Sequence, residues 1–254
     1  MRADNDKALF DRIAQDYARK DTHPSASIAR KARLQQSMRP LLLPENSDVL
    51  EIGSGAGFSA EYLAGQYGSY TGLDYSSELT TYAQQLNAGP GRTFLCADAF
   101  QFEPEKEFDL IFAIGVLHHI EAYQDLLLRL SSFLRPGGWL MVNEPHPLNP
   151  IVTGARHLRK KFDSGYSEDQ DELGPKAIGD AFEAAGLADV AISAQGFLAT
   201  PLAEVPIDPL WLTRPIANFT SALDRGLAHV LPVSVGLRMS WNVVVTGRKH
   251  YPHT

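Results

Sequence analysis

The chain has one cysteine, no long apolar run and no excess of basic charge, and each absence excludes a class of protein. A single cysteine, Cys96, excludes an internal disulfide framework and a cysteine-based zinc cluster. No apolar run approaches the roughly 20 residues that a membrane-spanning helix needs, and the charged stretch Met1–Lys7 does not resemble a secretory signal. A net charge of -7 argues against a nucleic-acid partner. We therefore expect a cytoplasmic protein without stable membrane insertion.

The apolar content suffices for one large core. The 254 residues are 44% hydrophobic, which favours a single α/β domain. Although the net charge is negative, the chain has one basic cluster, which consists of Arg156, Arg159, Lys160 and Lys161. This cluster is either a solvated helix face or a site that meets an anionic group of a substrate.

Between Asp48 and Glu144, short apolar segments alternate with helical ones, the pattern of a parallel sheet with crossover helices. The predicted strands are Asp48–Ile52, Tyr70–Asp74, Thr93–Cys96, Phe108–Ala113 and Trp139–Asn143. The predicted helices are Ala56–Gln66, Ser76–Leu86 and Tyr123–Phe133. We expect Pro136-Gly137-Gly138 to end the last helix and form a turn. Cys96 is predicted to be inert in its apolar strand.

The flanking segments are mainly helical. Apolar residues at helical spacing predict an amphipathic helix over Asn5–Arg19. The other predicted elements are helices over Ser25–Met38 and Lys176–Ala185, strands over Ala188–Ala194 and Trp241–Gly247, and a helical insertion over Phe197–Arg238.

The most informative motif is the glycine-rich turn at the end of the first strand. The run V-L-E-I-G-S-G-A-G covers Val49–Gly57, and a lone acid, Asp74, ends the next apolar segment. Glycines let backbone lie directly against a ligand because no Cβ intervenes. A helix that begins after such a turn presents its N–H groups to a bound anion. The pattern therefore predicts a nucleoside-type cofactor.

The spacing of the glycines separates two cofactor classes. The NAD fingerprint G-x-G-x-x-G/A needs a small third residue, and Phe58 stands at that position. An acid, Glu51, instead precedes the first glycine by two residues. This motif resembles the first motif of class I S-adenosylmethionine-dependent methyltransferases of the small-molecule type.

Four further motifs follow in the order of that family. Gly72–Ser76 resembles its second motif, Ala97–Phe100 its third, Phe108–His119 its fourth, and Leu134–Leu140 the turn into its fifth strand. The resemblance implies an α/β fold with a Rossmann-like, seven-stranded, mostly parallel sheet, helices on both faces and an antiparallel last strand.

The resemblance also implies a division of one domain over residues 1–254. Residues 1–40 form an N-terminal helical lid, and 41–145 form the cofactor-binding core. Residues 146–187 and 197–238 are insertions on the substrate side, and 239–249 form the final strand. The insertion 197–238 is interpreted as the roof of an apolar pocket, a homodimer surface or extra core.

The resemblance assigns S-adenosylmethionine as the cofactor and a role to each matched residue. Asp74 accepts hydrogen bonds from the ribose diol. Asp98 accepts one from the adenine amino group, beside the Ala99 amide and a Phe100 wall that is equally interpretable as core. The backbone of the glycine turn contacts the methionine portion. The full predicted set is Tyr17, Glu51, Gly53, Ser54, Gly55, Gly57, Asp74, Tyr75, Asp98, Ala99, Phe100 and Ile114.

Three histidines are the predicted bases for an acceptor that must lose a proton. His118 and His119 follow the fourth strand, and His146 follows the fifth, all at the sheet edge where such folds bind ligands. Structural or cofactor-contacting roles are the alternative for each. Their spacing fits no metal site, so no metal is predicted.

The acceptor is predicted to be a small organic molecule methylated at oxygen or nitrogen. The fourth motif reads Ala113-Ile114-Gly115-Val116 and lacks the Asn-Pro-Pro-Tyr type of stretch found in family members that act on nucleic acids or glutamine. Two rival hypotheses stay open. One is a partner-binding protein of the same fold that binds cofactor without turnover, and the other is an NAD-dependent oxidoreductase.

Overall fold

A computed structural model describes residues 2–155, 172–205 and 207–251, with side chains from residue 7 onward. The basic cluster at 156–161 lies outside the described residues. Two helices come first, α1 (Arg2–Thr22) and α2 (Pro24–Met38). The strands are β1 (Asp48–Ile52), β2 (Ser69–Asp74), β3 (Arg92–Cys96), β4 (Phe108–Ile114), β5 (Leu134–Pro145), β6 (Leu187–Gln195) and β7 (Asn242–Lys249).

Helices connect these strands. Between β1 and β5 they are α3 (Phe58–Tyr62), α4 (Ser77–Leu86) and α5 (Tyr123–Ser132), with a 3₁₀ turn over Leu117–His119. Residues 150–155 are also helical. The later helices are α6 (Pro175–Ala184), α7 (Thr200–Glu204), α8 (Leu210–Val230) and α9 (Val233–Met239).

The seven strands form one sheet in the order β3-β2-β1-β4-β5-β7-β6. β1 to β5 pair in parallel, and β7 lies antiparallel between β5 and β6. The predicted fold class is therefore confirmed. The parallel order requires crossover helices, and these cover both faces of the sheet.

Alternate residues of the central strands enter two cores. Leu50 and Ile111 pack on one face with α5 and α6, whereas Val49 and Phe112 pack on the other with Tyr70. Strands buried on both faces are continuously apolar. This explains why β1 and β4 were predicted within one residue of their ends.

Two local predictions were wrong. Pro136-Gly137-Gly138 forms no separate turn, because β5 runs through it as an irregularity between the pairs Phe108–Leu134 and Leu110–Trp139. Gly137 has a φ of +78° there, as bulged strands often require. The helix predicted over Ala56–Gln66 is only the five residues of α3, because Gly57 and Gly65 both have positive φ.

Candidate active site

A cavity of about 650 Å³ lies at the carboxyl ends of β1 to β4, with α1 across it. Ligands of open parallel sheets bind at this edge. Ten of the predicted site residues line the cavity, and they are Tyr17, Gly53, Gly55, Asp74, Tyr75, Asp98, Ala99, Phe100, Ile114 and His119. The remaining five predicted residues are not among its lining residues, and they are Glu51, Ser54, Gly57, His118 and His146.

The glycine turn brings bare backbone to the cavity wall. Gly53 and Gly55 have φ values of +67° and +52°. A Cβ at Gly53 would overlap the side chain of Val116. Behind the wall, the Ser54 N–H donates to the Leu73 carbonyl at 2.9 Å, and a Cβ at Gly57 would lie 2.7 Å from the Phe94 ring. Gly53 and Gly55 thus face the cavity, while Ser54 and Gly57 hold the turn on the sheet.

Asp74 ends β2 as a buried carboxylate on the cavity wall. Its Oδ2 accepts the Gly55 N–H at 2.8 Å, and its Oδ1 accepts the Ser76 N–H at 2.9 Å. Burial raises the pKa of Asp74, and the two backbone hydrogen bonds oppose that rise. Each oxygen accepts one of these bonds and retains a lone pair, so the carboxylate can receive two hydroxyl groups of a ligand.

Asp98 lies in the loop after β3 with its side chain exposed to the cavity. Its Oδ1 accepts the Phe100 N–H at 2.9 Å, which fixes the loop. The neighbouring Phe100 is 38% exposed and lines the same cavity. An acceptor beside an exposed aromatic ring suits a flat heterocycle that carries a donor group.

Glu51 is buried below the turn rather than in the cavity wall. Its carboxylate accepts hydrogen bonds from the hydroxyls of Ser59, at 2.7 Å, and Tyr70. It therefore ties β1 to α3 and β2. Burial raises the pKa of Glu51 to about 8, and the two hydroxyl bonds oppose that shift.

The two adjacent histidines have different surroundings. His118 is buried with Nδ1 at 2.7 Å from Oε2 of Glu144, a fully buried residue of β5. The other oxygen of Glu144 accepts the N–H groups of Val116 and Leu117 at 2.9 Å each. His119 instead lines the cavity, with its ring 4.2 Å from that of His118 and 5.3 Å from that of Phe10. Glu144 thus sets the loop that presents His119.

His146 is buried away from the cavity lining. Its Nδ1 accepts the Leu148 N–H at 3.2 Å, and its Nε2 lies 3.0 Å from the Ser240 hydroxyl. These contacts connect the end of β5 to the start of β7. The described geometry therefore gives His146 a structural setting.

Helix α1 closes the cavity through residues that the sequence did not single out. Lys7 and Phe10 line it together with Tyr17. Asp11 joins the helix to the core, because it accepts the Ser76 hydroxyl at 2.6 Å. Within the helix, Asp11 also pairs with Lys7 at 2.7 Å. The helical spacing of the apolar residues of α1 was the available signal, since it places Phe10 and Tyr17 on one face.

Further unpredicted lining residues include Cys96 and the segment after His119. Cys96 was expected to be inert within an apolar strand, but its side chain is exposed at the cavity. It ends an outer strand whose carboxyl end opens toward the ligand edge. Ile120, Glu121 and Ala122 complete that wall.

Within the described residues, no group of three histidine, cysteine, aspartate or glutamate side chains is arranged to hold a metal ion. No helix in the same part of the chain has the length and apolar content to cross a bilayer. None of the described residues of 197–238 lines the cavity.

Residues 50–142 match the family model described as a methyltransferase domain. The chain is 31% identical over 117 residues to a fatty-acid O-methyltransferase of Mycolicibacterium smegmatis, a match covering 45% of this chain and 43% of the relative. It is 34% identical over 107 residues to a phosphoethanolamine N-methyltransferase of Plasmodium falciparum, covering 40% of each. The matches thus span about two fifths of the length of these relatives.

The fold is shared over nearly the whole chain with a magnesium protoporphyrin IX methyltransferase of Synechocystis PCC 6803, solved with bound SAH. The TM-score is 0.63 at 14% identity, and the match covers 98% of this chain and 100% of that one. The chain therefore shares the fold of this methyltransferase, and its residues 50–142 match the methyltransferase-domain family model.

Proposed function

We propose that this chain, which carries a methyltransferase domain, transfers a methyl group from S-adenosylmethionine to a small organic molecule at oxygen or nitrogen. The environment of Asp74 carries the proposal. Its buried carboxylate, on the wall of the cavity of about 650 Å³, is aligned by the Gly55 and Ser76 N–H groups. A ribose diol offers two adjacent donors that match these two oxygens.

The residues around Asp74 suit the rest of the cofactor. Asp98 and Phe100 would hold adenine by one accepted hydrogen bond and one apolar wall. Gly53 and Gly55 leave room for the methionine portion, because side chains there would fill the wall. Glu51 acts from below by fixing the turn through Ser59 and Tyr70.

The chemistry needs alignment more than covalent help. When bound, S-adenosylmethionine supplies a methyl group that its sulfonium already activates for in-line displacement. The cavity walls orient the acceptor and exclude water. An acceptor O–H or N–H must also lose a proton, and His119 is the proposed base because it lines the cavity. His118 and Glu144 position it.

The acceptor class rests on the relatives and on charge. The two relatives are named for a fatty acid and for phosphoethanolamine, one methylated at oxygen and the other at nitrogen. The chain's charge of -7 disfavours a nucleic-acid acceptor.

We propose a single domain in which α1 serves as the lid.

Calorimetric titration with S-adenosylmethionine, S-adenosylhomocysteine and NADH tests the proposal. We expect the two sulfur compounds to bind and NADH not to bind. Asp74→Ala should weaken their binding at least about tenfold, since hydrogen bonds to charged groups contribute about 1.5 to 3 kcal/mol each. Binding of NADH in their place would favour an oxidoreductase.

A control variant distinguishes loss of the ligand contact from the general effect of replacing an acidic residue in a strand. Asp109 accepts the Asp48 N–H at 2.8 Å and pairs with Arg135, away from the cavity lining. Asp109→Asn should leave the dissociation constant unchanged in protein that circular dichroism shows to be folded. Equal affinity of Asp74→Ala and the parent chain would refute the ribose assignment.

A further inference from the structure

A buried ion cluster joins three helices behind the wall of the cavity. Its centre is the Arg30 guanidinium of α2, whose side chain is 10% exposed. Nη1 of Arg30 donates to Oδ1 of Asp21 on α1 at 2.6 Å, and its Nε donates to the Ala203 carbonyl of α7 at 2.8 Å. Glu204 of α7 lies 3.8 Å from Nη2. These four residues are not among those that line the cavity.

Stability alone does not account for the pair of Arg30 and Asp21. A buried ion pair is often no more stabilising than apolar side chains of the same volume, because both charges lose their water. Burial raises the pKa of Asp21, and the Arg30 charge opposes that rise. The Asp21 side chain is 8% exposed, so without Arg30 it would be an uncompensated buried charge. Asp21 therefore holds the guanidinium in one position.

In that position the guanidinium faces the ring of Tyr17, which belongs to the cavity wall. Cζ of Arg30 lies 5.6 Å from the centre of the ring, within the range of a cation–π contact. The Lys20 ammonium lies 5.9 Å from the same centre. A Cβ at Gly55 would lie 3.6 Å from Cε1 of Tyr17, so the ring also lies against the glycine turn. Tyr17 thus connects the buried cluster to the turn.

We propose that Arg30 is a positioning residue for cofactor binding, which holds the Tyr17 ring of the lid against the glycine turn. This role rests on the proposed function, because it takes the cavity to be the S-adenosylmethionine site. Tyr17 and Gly55 form the wall beside the methionine portion, so a displaced ring would open that part of the cavity to water. Arg30 acts through Tyr17 rather than on the cofactor, since Asp21 and Ala203 already engage two of its nitrogens.

A double-mutant cycle on the dissociation constant of S-adenosylhomocysteine tests the proposal. Arg30→Met alone would leave Asp21 buried and unpaired, so the variant combines Arg30→Met with Asp21→Asn, in protein that circular dichroism shows to be folded. We expect this paired variant to raise the dissociation constant at least about fivefold, as Tyr17→Leu should by itself. In the Tyr17→Leu background, the same two changes should alter the constant by less than about twofold.

The control is Arg248→Met, which removes the same kinds of contact at the opposite edge of the sheet. Arg248 donates from Nε to the Gly137 carbonyl at 2.9 Å, and its Cζ lies 5.4 Å from the centre of the Trp139 ring. Arg248 is not among the residues that line the cavity. Its replacement should leave the dissociation constant within about twofold of the parent value.

The outcomes separate the role of Arg30 from the proposed function. An effect of equal size with and without the Tyr17 ring would overturn the proposal, because Arg30 would then meet the cofactor directly or act on the whole fold. An unchanged dissociation constant for the paired variant would also overturn it, and in both cases the proposed function would stand. A parent chain that binds neither S-adenosylmethionine nor S-adenosylhomocysteine would refute the proposed function and, with it, the role of Arg30.

Discussion

The glycine turn after β1 and helix α8 differ from ordinary burial in opposite ways. Acidic groups are buried at the turn, whereas large apolar groups are exposed on the helix. Around the turn, carboxylates are buried, notably those of Glu51 and Asp74. On α8, aromatic side chains such as Trp211 and Phe219 are exposed. Acids are almost never fully buried without partners, and large exposed apolar stripes are rare. Both regions therefore depart from what stability alone would select, and such departures concentrate at functional surfaces.

The two departures have different physical consequences. A buried carboxylate is costly unless hydrogen bonds compensate it, so its neighbours become fixed in place. Two backbone N–H groups hydrogen-bond to Asp74, and two hydroxyls hydrogen-bond to the carboxyl group of Glu51, whose pKa of about 8 keeps it largely protonated at neutral pH. An exposed apolar side chain constrains none of its neighbours. The turn should consequently tolerate few substitutions, and the exposed side of α8, which carries Trp211 and Phe219, should tolerate many.

A glycine-to-alanine change in each region gives the largest expected difference in the free energy of unfolding. Gly53→Ala should destabilise the fold by about 2 to 5 kcal/mol, because left-handed backbone disfavours a Cβ and the Cβ would overlap Val116. Gly226→Ala in α8 meets no atom within 4 Å and should stabilise by about 0.5 to 1 kcal/mol. Urea unfolding measures both changes.

Adding Val116→Ala to Gly53→Ala separates the two causes of the destabilisation, the overlap with Val116 and the strain of the backbone. The double variant should recover the part that comes from overlap and keep the part that comes from backbone strain. A Gly53→Ala variant as stable as the parent would contradict the described conformation of the turn.

The cofactor half of the site was predictable because its features are local. Gly53, Asp74 and Asp98 each follow a strand, and their spacing along the chain fixes the edge at which they meet. The pairing of His118 with Glu144 could not be predicted, since it joins residues 26 apart through the register of β4 and β5. The irregularity in β5 likewise depends on its partner strand.

The orientation of α8 could not be predicted because helical periodicity does not say which side packs inward. The apolar stripe that contains Trp211 and Phe219 was interpreted as a pocket roof, a dimer surface or core, and the structure places it outward. The information that decides the rotation lies in Asp224, whose partners Phe197, Leu198 and Ala199 lie 25 to 27 residues earlier in the chain. Sequence spacing carries no sign of that contact.

A pH series tests how strongly the turn depends on a buried acid. The pKa of Glu51 is raised from 4.5 to about 8 in the folded chain, so folding retains a proton that the unfolded chain releases. The contribution of Glu51 to the free energy of unfolding is therefore fully present below pH 4.5 and is lost as the pH rises to about 8. The loss is at most about 1.4 kcal/mol per pH unit.

Glu51→Gln should remove this slope, because the amide does not titrate. Thermal unfolding between pH 6 and 7 should show the variant gaining stability relative to the parent as the pH rises. The exposed Glu105 provides the control, and Glu105→Gln should leave the slope as it is in the parent. Parallel pH profiles for Glu51→Gln and the parent would contradict the buried state of Glu51.

The smallest expected effect tests the rotation of α8 about its own axis. Phe219 and Ala217 are two residues apart on nearly opposite sides of one helix, the first exposed and the second fully buried. Phe219→Ser should change the free energy of unfolding by no more than about 0.5 kcal/mol, as exposed positions usually do. Ala217→Leu should destabilise by about 1 to 3 kcal/mol, because Ala217 is fully buried on a helix that packs against α2. The reverse ranking in urea unfolding would mean that Phe219 packs inward, and the described rotation of α8 would then be wrong.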